Sequence, residues 1–167
     1  MTTKIIECKG SLFSSSSELL CHGVNCKGIM GAGIAAQMKL RYPEMYKIYR
    51  QRCFASPRPE PGEIQICADK HSKKFIGNLF TQKELGACAR VEYVEQCIDE
   101  LIKANEGGDC PGLYLESVAF PKIGCGIGGL EWEDVKPVLH KLTKFFKKVE
   151  VWSLGTGEKT RGYLLSL

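Results

Sequence analysis

Leu19-Leu20-Cys21-His22-Gly23-Val24-Asn25-Cys26-Lys27-Gly28-Ile29-Met30-Gly31-Ala32-Gly33-Ile34-Ala35-Ala36 decides the fold. Its first six residues are apolar enough for a strand covered on both faces, as in a parallel or mixed sheet. Gly28 to Gly33 then reads as a loop. A helix opens at about Gly33, with Ile34 and Met38 as its i, i+4 apolar stripe. Strand, glycine turn and helix together make one unit of an α/β domain.

The flanking sequence repeats that alternation. Lys4 to Cys8 reads as a short strand closed by Gly10, and Ser14 to Ser17 as a loop. Pro43 suits the first turn of a second helix running through Cys53. Ser56-Pro57-Arg58-Pro59-Glu60-Pro61-Gly62 is a loop, too short for a domain linker. Glu63 to Ala68 and Lys74 to Phe80 read as strands. Val91, Val94, Cys97, Ile98, Leu101 and Ile102 form a helical stripe, stopped by residues 105–109. Leu113 to Phe120 reads as a strand leading into a second glycine cluster, Gly124 to Gly129. Val135, Val138, Leu139, Leu142 and Phe146 give a further helical face, and Val149 to Leu154 a last strand. The expected architecture is therefore α/β, with helices on both faces of a mixed, largely parallel sheet. One domain is expected over residues 1–154, followed by a tail over residues 155–167.

Composition narrows the class. The chain has 167 residues, 44% of them hydrophobic and 25% charged, which excludes a disordered chain. A net charge of +4 suits an anionic ligand but does not by itself signal nucleic-acid binding. The lysine groups at 70–74 and 141–148 read as solvated faces. No apolar stretch approaches the ~20 residues of a membrane span. Residues 1–10 lack the pattern of a signal peptide. A cytoplasmic protein without a membrane partner, and a monomer, is the expectation. Nine cysteines are odd in number and include no C-x-x-C pair, which argues against a zinc ribbon or a fully paired disulfide framework. They read as reduced thiols packed as small hydrophobes. His22, His71 and His140 lie far apart, so no metal and no cofactor is expected.

Two glycine loops carry the chemistry. Gly31-Ala32-Gly33-Ile34-Ala35-Ala36 and Gly124-Cys125-Gly126-Ile127-Gly128-Gly129 both fit G-x-G-x-x-[GA], each between a strand and a helix. Glycine lets backbone N–H groups approach an anion at a helix N-terminus. Two such loops at strand C-termini would clasp a diphosphate from both sides. A dinucleotide-binding fold requires an acid at a strand end ~20 residues beyond the loop. Gln51 to Pro59 supplies none, which disfavours a dinucleotide oxidoreductase. A P-loop fails because no Gly-Lys-Ser/Thr follows either cluster.

These loops, with Lys9-Gly10-Ser11-Leu12-Phe13, His22 to Ala35 and Pro121 to Trp132, resemble a macrodomain, in order along residues 4–154. The resemblance implies a three-layer α/β/α domain that binds ADP-ribose, alone or on modified DNA or protein. Three branches are similar. These are the terminal ADP-ribose protein glycohydrolases, the antitoxin macrodomains acting on DNA, and the yeast-type ADP-ribose 1″-phosphate phosphatases. Many other macrodomains only bind. A hydrolase that removes ADP-ribose from a base or carboxylate is therefore expected, with the phosphatase and the non-catalytic reader as alternatives.

By this resemblance, Asn25 lies at the distal ribose, where its amide can meet a cis-diol. The amides of Gly31, Ala32, Gly33 and Ile34 take one phosphate. Those of Gly124, Cys125, Gly126, Ile127 and Gly128 take the other. Ser11 stands where the family often has an aspartate for the adenine amino group. The Leu12 backbone and the Leu154 side chain complete that pocket. Lys83 resembles the lysine of the glycohydrolase branches, able to form a Schiff base or to stabilise leaving-group charge. The protein glycohydrolase branch has an aspartate where this chain has Gly128, which shifts weight toward the DNA-type branch. His22 aligns with the histidine of the phosphatase branch, as an acid, base or phosphate contact.

Overall fold

Leu19–Val24 lies in the interior of a six-stranded sheet. The strands are β1 Ile5–Lys9, β2 Leu19–Val24, β3 Ile64–Asp69, β4 Lys74–Phe80, β5 Ser117–Phe120 and β6 Lys148–Ser153. Their order across the sheet is β1-β6-β5-β2-β4-β3. Every neighbouring pair is parallel except β3 with β4. This computed structural model describes residues 3–154, and the expected tail over 155–167 lies outside them.

The helices are α1 Gly33–Arg41, α2 Pro43–Cys53, α3 Val91–Glu106 and α4 Trp132–Leu139. Strand side chains alternate between two cores. Leu19, Cys21, Leu79, Val118 and Phe120 pack with Val94, Ile98 and Leu101 of α3 and Val135 and Leu139 of α4. Leu20, Val24, Ile76, Phe80 and Ala119 pack on the other face, with Met38 of α1 and Met45, Tyr49 and Cys53 of α2. The result is the expected three-layer α/β/α arrangement, and it explains why β2 is apolar apart from His22. Each fully buried leucine contributes about 1.5–3 kcal/mol, so neither face of that strand tolerates a solvated side chain.

Two elements differ from expectation. β5 begins at Ser117 rather than Leu113. Buried Asn105, at the end of α3, donates from Nδ2 to Leu115 O at 3.1 Å and accepts the Leu115 N–H at 2.8 Å. Tyr114 stands at φ 52°. That side-chain bridge replaces the ladder bonds of residue 115 and holds the segment off the sheet. The last helical face is also divided, into α4 and a 3-10 helix over His140–Lys144. Pro137 removes a hydrogen bond inside α4, and the chain tightens soon after.

The lysine clusters are not wholly solvated. Lys74 is half-buried and donates from Nζ to Ser15 O at 3.0 Å and Ser17 O at 2.7 Å. Beside it, Glu150 is buried and accepts from the hydroxyls of Ser15 and Ser17 and from the Trp152 indole. This network pins Ser15 and Ser17 to β6. Among the described residues the nine cysteines form no disulfide. Cys21, Cys26, Cys53, Cys67 and Cys97 are buried as expected, whereas Cys110 is exposed. Among the described residues no helix is long and apolar enough to cross a membrane.

Burial opposes the charge of Glu150. The hydrogen bonds from Ser15, Trp152 and Ser17, with the charge of Lys148, outweigh it and hold the carboxyl below its ordinary range. A lowered carboxylate pKa stabilises the fold above the unfolded value, about 4.3. That contribution is lost as pH falls through the folded value. Glu150→Gln is expected to lose about 1–3 kcal/mol at neutral pH, read by urea unfolding. The variant should also lose less stability than wild type between about pH 5 and pH 3.

Candidate functional site

Because β1, β6, β5, β2 and β4 run parallel, they all end on one edge of the sheet. Ser11 and Leu12 follow β1, Asn25 and residues 31–34 follow β2, and Lys83 follows β4. Gly124 to Gly128 follow β5, and Leu154 follows β6. The topology thus gathers every expected site residue onto that edge except His22.

Within the edge, β2 and β5 are neighbours. The chain leaves β2 for α1 on one face and β5 for α4 on the other. Adjacent parallel strands whose connections depart to opposite faces leave a crevice between their loops. The strand ends are tightly apposed. A Cβ on Gly23 would lie 2.7 Å from Thr81 Oγ1 and 3.3 Å from Ile123 Cγ1. The Thr81 N–H donates to Val24 O at 3.2 Å, and the Cys26 N–H to Lys83 O at 3.2 Å.

The first glycine loop ends at an uncapped helix. Ala32, the N-cap of α1, offers no capping side chain, and the first turn holds no acidic residue. Gly33 enters the helix at φ 58°, which favours glycine. The Ala36 N–H is bonded to Ala32 O at 3.3 Å. The N–H groups of Gly33, Ile34 and Ala35 therefore precede the first helical bond and carry the positive end of the helix dipole.

The second loop turns on Gly124, at φ 77°, with Leu130 N–H donating to Gly124 O at 2.8 Å. The Cys125 N–H donates inward to Lys122 O at 3.1 Å and its thiol to Ile123 O at 3.5 Å. Cys125 is thus engaged in the turn itself. Among the described residues no acceptor takes the N–H of Gly126, Ile127 or Gly128. Gly128 is buried for a packing reason. A Cβ there would meet Gly124 O at 2.7 Å and Ala89 Cβ at 2.8 Å. This backbone has no room for an aspartate at that position.

Asn25 is turned into its own loop. Its Oδ1 accepts the Lys27 N–H at 2.9 Å and the Tyr49 hydroxyl at 3.0 Å, and its Nδ2 donates to Ile29 O at 2.9 Å. The side chain braces residues 25–29. Lys83 is exposed on the neighbouring loop. The next residue, Glu84, is paired with Lys27 at 3.1 Å. Among the described residues no carboxylate lies within ion-pair reach of Lys83. Ser11 Oγ accepts the Phe13 N–H at 3.2 Å and caps a 3-10 helix over Leu12–Ser14. The adenine-side position therefore serves local structure as well. Leu12 is buried and Leu154 half-buried.

His22 sits inside β2 and is 1% exposed. Its Nε2 lies 2.6 Å from Asn78 Oδ1, while Asn78 Nδ2 donates to Gln65 Oε1 at 3.0 Å. That network assigns the ring proton to Nε2. Nδ1 is buried without a partner. Burial, working against the Asn78 bond, pushes the imidazole pKa down to about 4. His22 is therefore neutral at pH 7 and buried inside β2.

Sequence reasoning passed over Tyr49, Thr81 and residues 87–90. Tyr49 stands at i+4 from Met45 and i−4 from Cys53, so periodicity marks it only as core. Thr81 and Ala89 act through backbone contacts that no pattern announces. Among the described residues no group of three or more metal-ligating side chains occurs.

A family model described as Macro domain matches residues 21–139. The chain is 36% identical over 134 residues to a DNA ADP-ribosyl glycohydrolase of Mycobacterium tuberculosis, covering 76% of this chain but 35% of that protein. It thus spans about a third of the length of that relative. It is 33% identical over 156 residues to an ADP-ribose 1″-phosphate phosphatase of Lodderomyces elongisporus, covering 85% of this chain and 93% of that one. Among solved structures, the macrodomain of Mycobacterium tuberculosis DarG is similar with a TM-score of 0.77 at 32% identity, over 88% of this chain and 96% of that one.

Gly128→Ala is expected to cost about 1–3 kcal/mol by overpacking. Gly31→Ala, whose Cβ would meet only Ile29 Cγ2 at 3.5 Å, should stay within about 0.5 kcal/mol of wild type. Urea unfolding of the two variants compares them. For His22, a lowered pKa stabilises the fold above the unfolded value of about 6.5, and the contribution is lost as pH falls toward the folded value. NMR of the imidazole should therefore detect no titration above about pH 5.

Proposed function

The chain belongs to the Macro domain family, and from that membership we propose that it binds ADP-ribose and hydrolyses a bond at C1″ of the distal ribose. One observation carries the reading. Two uncapped N–H loops end the adjacent parallel strands β2 and β5, whose helices depart to opposite faces. In this reading the N–H donors of Gly31–Ile34 and Gly126–Gly128 hold the pyrophosphate. Adenosine then lies toward Ser11, Leu12 and Leu154. The distal ribose lies toward Asn25 and Lys83, with Asn25 shaping the loop there.

Lys83 is the catalytic residue in this reading. As an ammonium it stabilises the charge that develops on the departing acceptor. As a free amine it attacks C1″ of the opened ribose, the acceptor departs with a proton, and water hydrolyses the imine. The DNA glycohydrolase relative supports a base-linked substrate. The phosphatase relative, matched over 93% of its length, favours phosphate as a second leaving group. A route through His22 has no support in the geometry, since that ring is buried and neutral.

Calorimetry is expected to register heat on adding ADP-ribose. A flat trace at millimolar ligand would sink the reading. Lys83→Ala should keep ADP-ribose affinity within about threefold while release from a modified substrate falls about 100-fold or more. Borohydride added during turnover separates the two chemistries, because only an imine is trapped as a covalent adduct on Lys83.

A further inference from the structure

A ribose diol needs an acceptor, because each of its hydroxyls presents an O–H donor. Neither residue placed beside the distal ribose has one to spare. Lys83 carries donors only. Asn25 Oδ1 already accepts the Lys27 N–H at 2.9 Å and the Tyr49 hydroxyl at 3.0 Å. Those two bonds use both lone pairs of a carboxamide oxygen.

Gln82, the second residue past β4, stands where an acceptor is required. Its main chain lies against the loop after β2, next to Asn25. The Cys26 thiol donates to Gln82 O at 3.6 Å, and the following carbonyl, Lys83 O, accepts the Cys26 N–H at 3.2 Å. Its side chain crosses to the second glycine loop, where a Cβ on Gly128 would stand 3.1 Å from Gln82 Oε1. Gln82 thus bridges the two loops at the end of the crevice that holds Asn25 and Lys83.

The orientation of its carboxamide is fixed. Nε2 donates to Glu84 O at 2.7 Å and to Gly86 O at 2.8 Å. Both N–H groups are spent, and the reversed amide would set its oxygen against two carbonyls. Oε1 is left on the side of Gly128, and among the described residues no donor reaches it. Among the described residues the one buried side-chain polar atom without a partner is His22 Nδ1, so Gln82 Oε1 is open to solvent.

Resting on the ADP-ribose reading, we infer that Gln82 is a specificity residue for the distal ribose. Its Oε1 accepts the hydrogen bond of a ribose hydroxyl. The two bonds from Nε2 hold that oxygen in place and fold the loop that carries Lys83. A ligand with a ribose beyond the pyrophosphate gains this bond, and ADP does not.

The test is calorimetry of wild type and Gln82→Ala with ADP-ribose, ADP, 2″-deoxy-ADP-ribose and 3″-deoxy-ADP-ribose. Gln82→Ala should weaken ADP-ribose about three- to tenfold and leave ADP within about twofold, which also reports an intact pyrophosphate site. Wild type should bind one of the deoxy ligands weaker by a similar factor. Gln82→Ala should add no further loss for that ligand, because the hydroxyl and Oε1 form one bond. The two deoxy arms identify which hydroxyl is used, and coupling to either supports the assignment. Unchanged ADP-ribose affinity in the variant, an equal loss for ADP, wild-type indifference to both deoxy ligands, or additive losses for both overturns the role of Gln82 and leaves the ADP-ribose reading standing. Failure of wild type to bind ADP-ribose overturns both.

Discussion

Gly23 is where three strand ends are pressed together. With no side chain of its own, it lets Thr81 from the end of β4 and Ile123 from beyond β5 close over β2. The Thr81 N–H to Val24 O bond then locks β4 against β2 at that edge. Any Cβ at this point would push on a neighbour and spread the loops that follow. The rest of the site inherits its spacing from this contact. The turn at Gly124 and the loop bearing Lys83 begin within a few residues of it, and α1 starts ten residues beyond Gly23.

Much of this was legible from residue pattern. β2, α2 and β4 fall within a residue of their expected limits because their signals are local and strong. Leu19 to Val24 is apolar apart from His22, Pro43 marks a helix start, and Lys74 to Phe80 ends at a polar loop. The glycine clusters also land where expected, at strand ends. Pattern failed where a distant side chain replaced a backbone partner. Asn105 captures residue 115 and shortens β5, and nothing in Leu113 to Phe120 announces it. Pro137 sits inside a helical apolar pattern, so periodicity carried the expected helix past the point where it tightens.

The candidate site was legible as a set of positions and less so as a set of orientations. The macrodomain resemblance placed Asn25 at the distal ribose, but its amide is committed to Lys27, Ile29 and Tyr49. His22 reads as an acid–base candidate by its resemblance to the histidine of the phosphatase branch. Its neighbours across the sheet, Asn78 and Gln65, come from strands more than 40 residues away in sequence, and they fix it as a buried neutral ring. Such partnerships are nonlocal and polar, so neither periodicity nor propensity carries them. The Glu150 network is of the same kind. It fixes the approach to Ser11 and Leu12 through hydroxyls that look like an ordinary serine loop.

The Lys27–Glu84 pair joins the loop after β2 to the loop after β4, and both partners are partly open to solvent. An exposed pair of this kind contributes little to stability and weakens as salt rises. The spacing of the two loops is already set by main-chain bonds, so raising ionic strength leaves the frame intact. What changes is the local field. At low salt Glu84 is neutralised by Lys27, and Lys83 presents its charge undiminished. Near seawater concentrations Glu84 is less firmly held and every charge around it is shielded, so attraction for polyanions should fade while the cleft keeps its shape.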